Sequence, residues 1–339
     1  MPKRIAFFAD GTWDSATNDT NVYKMFKASQ LTSEQLALYD DGVGSDGTLI
    51  ERLFGGAFGA GLFQKVKDGY TRIAHVYEEG DDVFIFGFSR GAYTARSLAG
   101  MVATCGLPTK SFDQNLVDTA FLAYRQRDKR QELLAGLGSY NLYDAPIKMV
   151  GVWDTVGALG IPSLVGDVDP ILYGFLDTGL HPDVKNAFHA LAIDERRREF
   201  PPTLWTPQDI AGQTVEQIWF SGVHCDVGGG YNETGLSNIA LGWMMSKAES
   251  LGLQFEDAAR QQYLPLPRDA KLSLDTIHES WSLLWGFPKS RSIDPRSSLS
   301  NSVVVRSAYG GYRPANLTLP NGVPAQSYTI IPIVGSPPA

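Results

Sequence analysis

Four short, nearly continuous apolar runs constrain this chain most: residues 5–9, 83–86, 147–153 and 218–223, with a shorter fifth at 36–39. Each is rich in Val, Ile, Phe or Trp, or is otherwise mostly apolar, and each is followed by small or polar residues. Runs that do not alternate suit strands covered on both faces, as in a parallel sheet. Helical spacing fills the gaps. Residues 63–78 carry Phe63, Val66, Tyr70, Ile73 and Tyr77 three or four apart. Further helical patterns cover 92–104, 112–137 and 237–251, the last with Ser237 as a candidate cap. Strand and helix in repetition predict an α/β fold with a mostly parallel central sheet and helices on both faces. Such sheets bind ligands at the carboxyl ends of their strands, so the polar residues there are the ones to inspect.

The 339 residues suffice for one large domain. We read 1–285 as the catalytic unit. Within it, the apolar but irregular 159–185 is either a cap over a pocket or a buried connection. From about Trp285 the chain is rich in Ser, Pro and Gly, and 286–339 reads as an ordered wrap or small subdomain of the same unit, with strand-like stretches at 303–305 and 328–334. A formal net charge of −8 disfavours nucleic acid as a partner. The densest basic cluster, Arg196-Arg197-Arg198, reads as a solvated helix face. Two cysteines, Cys105 and Cys225, cannot form a disulfide framework or a zinc site. The apolar run at 5–9 is too short for a signal peptide and reads as the first strand. No stretch reaches the roughly 20 apolar residues of a membrane span. The expectation is synthesis in the cytoplasm, with any export by a signal-less route.

The chemistry is concentrated in Val83-Phe84-Ile85-Phe86-Gly87-Phe88-Ser89-Arg90-Gly91-Ala92, a Gly-x-Ser-x-Gly between a predicted strand and a predicted helix. That is the context of a nucleophile elbow, in which Ser89 stands out from a sharp turn. Side chains at Gly87 or Gly91 would clash where strand and helix approach. The Arg90 N–H at the helix start can donate to a developing oxyanion. The loop after the first strand, Asp10-Gly11-Thr12-Trp13, is the candidate source of a second donor, from the Gly11 or Thr12 N–H, with Asp10 ordering it.

A serine needs a base. Of five histidines, His224 directly follows the strand at 218–223 and stands on the same rim as Ser89, in the loop His224-Cys225-Asp226-Val227-Gly228-Gly229-Gly230-Tyr231. His75 lies in a helical pattern and reads as a surface residue. His278 and His189 are the rival bases. Asp154 ends the strand at 147–153 and gives the order Ser89, Asp154, His224, that of the hydrolase fold. Asp226 is the rival acid and pairs more naturally with His278, so the Asp154/His224 and Asp226/His278 pairings both stay open. Two other signals are set aside. Phe8-Ala9-Asp10-Gly11-Thr12 lacks the first Asp of a phosphatase loop. Gly42-Val43-Gly44-Ser45-Asp46-Gly47 reads as a turn, because its acidic residues would repel a pyrophosphate. Gly55-Gly56-Ala57-Phe58-Gly59-Ala60-Gly61 reads as either a flap or close backbone packing.

The chain also resembles a family. Phe8-Ala9-Asp10-Gly11-Thr12-Trp13, the Ser89 motif, Gly151-Val152-Trp153-Asp154-Thr155-Val156-Gly157, Gly222-Val223-His224-Cys225-Asp226-Val227-Gly228-Gly229-Gly230-Tyr231, His189-Ala190-Leu191 with Glu195-Arg196-Arg197 and Phe200, and Tyr312-Arg313-Pro314 form an ordered set. They are similar to the α/β-hydrolase domain family that includes the first class of type VI secretion lipase effectors. The resemblance implies an α/β-hydrolase fold, a Ser-Asp-His triad and phospholipase activity. The expected function is carboxylic-ester hydrolysis, on a small ester or lipid, through an acyl-enzyme. It needs no metal and no organic cofactor. Peripheral membrane contact is compatible with it, and the oligomeric state is open. The alternative is a non-catalytic binding module on the same scaffold.

Overall fold

The computed structural model describes residues 2–11, 19–41, 58–108, 111–140, 142–156, 179–206, 208–263, 270–319, 325 and 327–334. Outside them fall Thr12, Trp13, the turn at 42–47, residues 55–57 of the glycine-rich stretch and 159–178 of the cap segment.

Ten strands are described: β1 (Arg4–Ala9), β2 (Gln35–Asp40), β3 (Asp82–Phe88), β4 (Leu107–Pro108), β5 (Leu142–Tyr143), β6 (Ile147–Trp153), β7 (Asn186–Ala192), β8 (Thr214–Phe220), β9 (Ser298–Ser300) and β10 (Thr329–Ile331). Eight of them form one sheet in the order β10-β9-β8-β7-β6-β3-β1-β2. Every ladder in it is parallel. β4 and β5 form a separate antiparallel pair. One face is covered by the helices Phe58–Val76, Ser89–Cys105 and Gln114–Arg125, the other by Asn21–Ala28 and Gly235–Ser250. Strands covered on both faces must be apolar on both, which is why β1, β3 and β6 read as unbroken runs. β1 pairs with β2 on one side and β3 on the other, so chain direction across the sheet reverses there. The crevice outside such a reversal is where α/β sheets place ligands, and it holds Asp10 and Ser89.

Several expected elements differ. β7 was not anticipated, because Asn186 and His189 interrupt its apolar pattern. The helix expected over 112–137 breaks into Gln114–Arg125 and Arg130–Gly136. Residues 303–305 are helical, not extended. Ser300 caps the helix Asn301–Tyr309 by accepting from the Ser302 N–H, and this local cap outweighs the β preference of three valines. Thr234, not Ser237, occupies the cap position of Gly235–Ser250; the Ser237 hydroxyl donates back to the Thr234 carbonyl. β8 stops at Phe220, and Gly222 then turns at φ +114°. His224 consequently opens a one-turn helix, His224–Gly228, rather than a flexible loop. Arg196-Arg197-Arg198 is not on a helix: Arg197 folds onto Glu195 and over the Phe200 ring at 3.6 Å. His75 is exposed on the helix Phe58–Val76. Within 286–339, β9 and β10 extend the sheet itself.

The approach of β3, its following helix and β1 is tight. A Cβ on Gly87 would meet the Gly91 carbonyl, and one on Gly91 would meet the carbonyl oxygens of Ala9 and Asp10. These obstacles are backbone atoms, which cannot swing away. Gly91→Ala is therefore expected to cost about 1–3 kcal/mol of stability, read from its urea denaturation midpoint.

Candidate active site

Ser89 is the first residue of the helix that follows β3, and it takes a left-handed φ of +56°. For a serine this backbone costs about 1–2 kcal/mol, so the surrounding packing enforces it. The Arg90 N–H lies at the N-terminus of that helix, where the helix dipole favours negative charge. The Gly11 N–H is committed elsewhere: it donates to Asp10 Oδ1 at 2.8 Å. Of the two loop donors expected for the oxyanion, Gly11 is thus engaged, and Thr12 lies outside the described residues. Asp10 was expected to order this loop. It also accepts from the Thr20 hydroxyl at 2.7 Å and the Tyr39 hydroxyl at 2.8 Å. Burial pushes its pKa up to about 6 against these donors.

Asp154 sits at the turn after β6, fully buried, with φ +39°. Its carboxylate is saturated. Oδ2 lies 2.6 Å from His224 Nδ1 and accepts from Arg291 Nη2 at 2.9 Å. Oδ1 accepts from Arg291 Nη1 at 2.6 Å and from the Ala192 N–H at 3.0 Å. Burial alone would raise its pKa, but Arg291 and His224 hold it well below the ordinary 3.8, so Asp154 stays ionised. Arg291 spans further, donating to the carbonyls of Ala192 and Phe200. Its bidentate fork welds the segment after 286 to the centre of the sheet.

His224 is 4% exposed, with its ring against Phe88 (centroids 4.6 Å apart), the neighbour of Ser89. Burial lowers its pKa below 6.5 against the pull of Asp154, which favours the neutral base near pH 7. The backbone N–H of His224 donates to Glu195 at 3.3 Å, and Glu195 is itself held by Arg197 and the Ser280 hydroxyl. Burial pushes Glu195 up, but Arg197 brings its pKa down to about 2.

Both proposed pairings form. His278 Nδ1 lies 2.6 Å from Asp226 Oδ1, as close as His224 to Asp154. They differ in what remains. His278 Nε2 is 3.2 Å from Glu233, and its ring stacks on Tyr231 at 3.8 Å. Both of its nitrogens are engaged by carboxylates. Burial lowers its pKa, but the hydrogen bonds to Asp226 and Glu233 outweigh that and raise it above 6.5. With Asp226 on one nitrogen and Glu233 on the other, neither is left facing a serine hydroxyl. Asp226 meanwhile accepts from the Val223 and His278 N–H groups, so this pair clamps the turn that carries His224. Because the folded pKa of His278 is raised, its stabilisation is present below pH 6.5 and lost as pH rises through the folded value. His278→Gln is expected to keep ester turnover within about tenfold of wild type and to flatten that loss in denaturation midpoints taken at pH 6 and pH 9.

His189, the other rival, is fully buried in β7 and accepts the Thr155 N–H at Nε2 (3.1 Å). Burial drives its pKa down to about 3, so it remains neutral and pins the Asp154 turn. Sequence reasoning assigned no role to Arg291 or Glu195. Glu195 fell inside the family-like stretch; Arg291 carried no local signal. Tyr312, also family-like, donates to Asp194 at 2.7 Å, and Asp194 accepts the Gly222 N–H ahead of His224. Among the described residues, no three His, Cys, Asp or Glu side chains converge to hold a metal ion.

A parallel sheet with helices on both faces, and a buried Asp-His pair beside a strained serine turn on its carboxyl rim, define the α/β-hydrolase class. The chain belongs to the family described as T6SS, phospholipase effector Tle1-like, catalytic domain, which matches residues 3–247. It is 27% identical over 233 residues to the uncharacterized protein YEL023C of Saccharomyces cerevisiae, across 60% of this chain and 33% of that one. The chain thus spans about a third of this curated relative. Among solved structures, an uncharacterized protein from Pseudomonas aeruginosa is 18% identical with a TM-score of 0.43, over 75% of this chain and 46% of that one. A sugar hydrolase, YeeB, from Lactococcus lactis is 12% identical with a TM-score of 0.39, over 74% of this chain and 91% of that one.

Proposed function

We propose that the chain is a serine esterase of lipase type, acting on phospholipid-like esters through Ser89, His224 and Asp154. Ser89 Oγ attacks the ester carbonyl as His224 takes its proton. The tetrahedral oxyanion is met by the Arg90 N–H, with the Thr12 N–H as the second candidate donor. His224 then gives the proton to the leaving alcohol, forming an acyl-enzyme. Water, deprotonated by the same histidine, releases the fatty acid and restores Ser89. Asp154 fixes the ring with Nδ1 protonated, so Nε2 is the basic nitrogen, and stabilises the imidazolium as it forms.

One observation carries the choice of base. The Nδ1 of His224 is bound by an ionised, Arg-supported Asp154, with the ring packed on Phe88, the residue before Ser89. His278 is instead held between two carboxylates. The reading is tested by the pH profile of kcat/KM on a soluble nitrophenyl ester. Because burial lowers the pKa of His224, activity is expected to rise with pH through a value below 6.5 and to be level at pH 7. A profile that rises only above pH 6.5 would point to the raised pKa of His278 and remove His224 from the role. Delivery by the type VI route into a rival cell is a further part of this proposal. Toxicity on periplasmic but not cytoplasmic expression would support it, and harmlessness in both would count against it.

A further inference from the structure

Seven residues near the C-terminal end of the catalytic unit, Trp281-Ser282-Leu283-Leu284-Trp285-Gly286-Phe287, are the most apolar exposed stretch among the described residues. Leu283, Leu284 and Phe287 are 86%, 82% and 88% exposed, values close to those of an unfolded chain. Yet the backbone beneath them is ordered. Leu283–Trp285 is a turn of 3₁₀ helix, closed by the Trp281 indole donating to the Gly286 carbonyl at 3.0 Å. Trp285 packs inward. Its ring meets Phe200 edge-on at 5.7 Å, and Phe200 meets His224 edge-on at 5.1 Å. Three rings therefore connect the exposed tip to the candidate general base. Basic residues flank it. The Lys289 N–H donates to the Arg196 carbonyl, which brings the Arg196-Arg197-Arg198 segment alongside. Arg198 and Lys289 are exposed, whereas Arg196 is paired with Glu279. A chain of net charge −8 thus carries two exposed cations, Arg198 and Lys289, in the segments that join its most apolar exposed stretch.

We propose that this ridge docks the protein onto an anionic phospholipid surface. The proposal rests on the ester-hydrolase reading for what the docked site would act upon. Leu283, Leu284 and Phe287 enter the acyl region, Trp281 and Trp285 lie at headgroup depth, and Arg198 and Lys289 meet lipid phosphates. Aromatic residues at the interface, aliphatic residues below it and cations at the rim are the arrangement that membrane surfaces select. The shape agrees. The tip protrudes rather than lining a groove, which suits penetration into a deformable layer, whereas a protein partner would need a matching cavity. Docking here would bring the ring of Phe200, and behind it His224, toward the lipid.

The test is co-sedimentation of the full chain with vesicles of phosphatidylglycerol and of phosphatidylcholine, alongside turnover of a soluble nitrophenyl ester. Wild type and Ser89→Ala are expected to partition equally onto phosphatidylglycerol, which separates docking from catalysis. The triple variant Leu283→Ser, Leu284→Ser, Phe287→Ser is expected to lose at least about tenfold in partitioning while keeping soluble-ester turnover. Arg198→Glu with Lys289→Glu should weaken binding to phosphatidylglycerol and leave phosphatidylcholine unaffected. Wild type that stays in the supernatant, or a triple variant that binds like wild type, overturns the proposal. So does a triple variant that changes only the oligomeric state in sedimentation velocity, since the ridge would then be a contact between copies. If wild type binds through the ridge yet turns over no ester, docking stands and the hydrolase reading falls.

Discussion

Ser89→Ala is expected to cut ester turnover by at least about 10⁴-fold with the fold intact, because the attacking oxygen is removed and water must replace it unaided. The side chain is small, and alanine tolerates the strained turn as well as serine does, so stability should move little. His224→Ala alone should cost a similar factor. The double variant should be scarcely worse than either single one, because nucleophile and base act as a unit. Near-additive losses would mean that His224 acts on something other than Ser89. These rates are read on a soluble ester, so that interfacial binding does not enter.

Arg291→Met should give the largest loss of stability. Asp154 is fully buried, and its ionisation depends on the Arg291 fork as well as on His224. Removing one partner of a buried ion pair typically costs about 3–5 kcal/mol, because the other charge is left without its counterion. The sign with pH follows from the depressed pKa of Asp154. Its contribution is present above the unfolded value near 3.8 and lost as pH falls through the folded value. The penalty of Arg291→Met should therefore be fully developed at pH 7 and shrink at strongly acidic pH, as urea midpoints across that range would register. Lysine should rescue only partly, since one ammonium cannot span both carboxylate oxygens and the carbonyls of Ala192 and Phe200. If the methionine variant is as stable as wild type, the fork is not what holds Asp154 ionised.

Much of this site was legible because α/β sheets announce it locally. A strand, a Gly-x-Ser-x-Gly turn and a helix are contiguous in sequence, so Ser89, Gly87 and Gly91 could be found from their neighbours alone. Asp154 and His224 were named as candidates by the same logic, each standing just beyond an apolar run. What stayed hidden is what depends on long-range contact. Arg291 lies 137 positions from Asp154, in a Ser- and Pro-rich stretch with no periodicity to mark it. β7 was missed because its polar positions do structural work: His189 turns inward to hold the Thr155 N–H, and that need broke the apolar pattern. Val303-Val304-Val305 misled in the opposite direction, since a cap at Ser300 overrode strand preference. The choice between two Asp-His pairs could not be made from spacing at all. The proposed preference for Asp154 and His224 rests on Glu233 and Tyr231 closing around His278.

The most direct test is to treat the folded protein with a fluorophosphonate and map the adduct by peptide mass spectrometry. A single adduct on Ser89, formed in wild type and in His278→Gln but at background rate in His224→Ala, is the predicted result. An unlabelled Ser89 in folded, monodisperse protein, or labelling that survives the loss of His224, would contradict it.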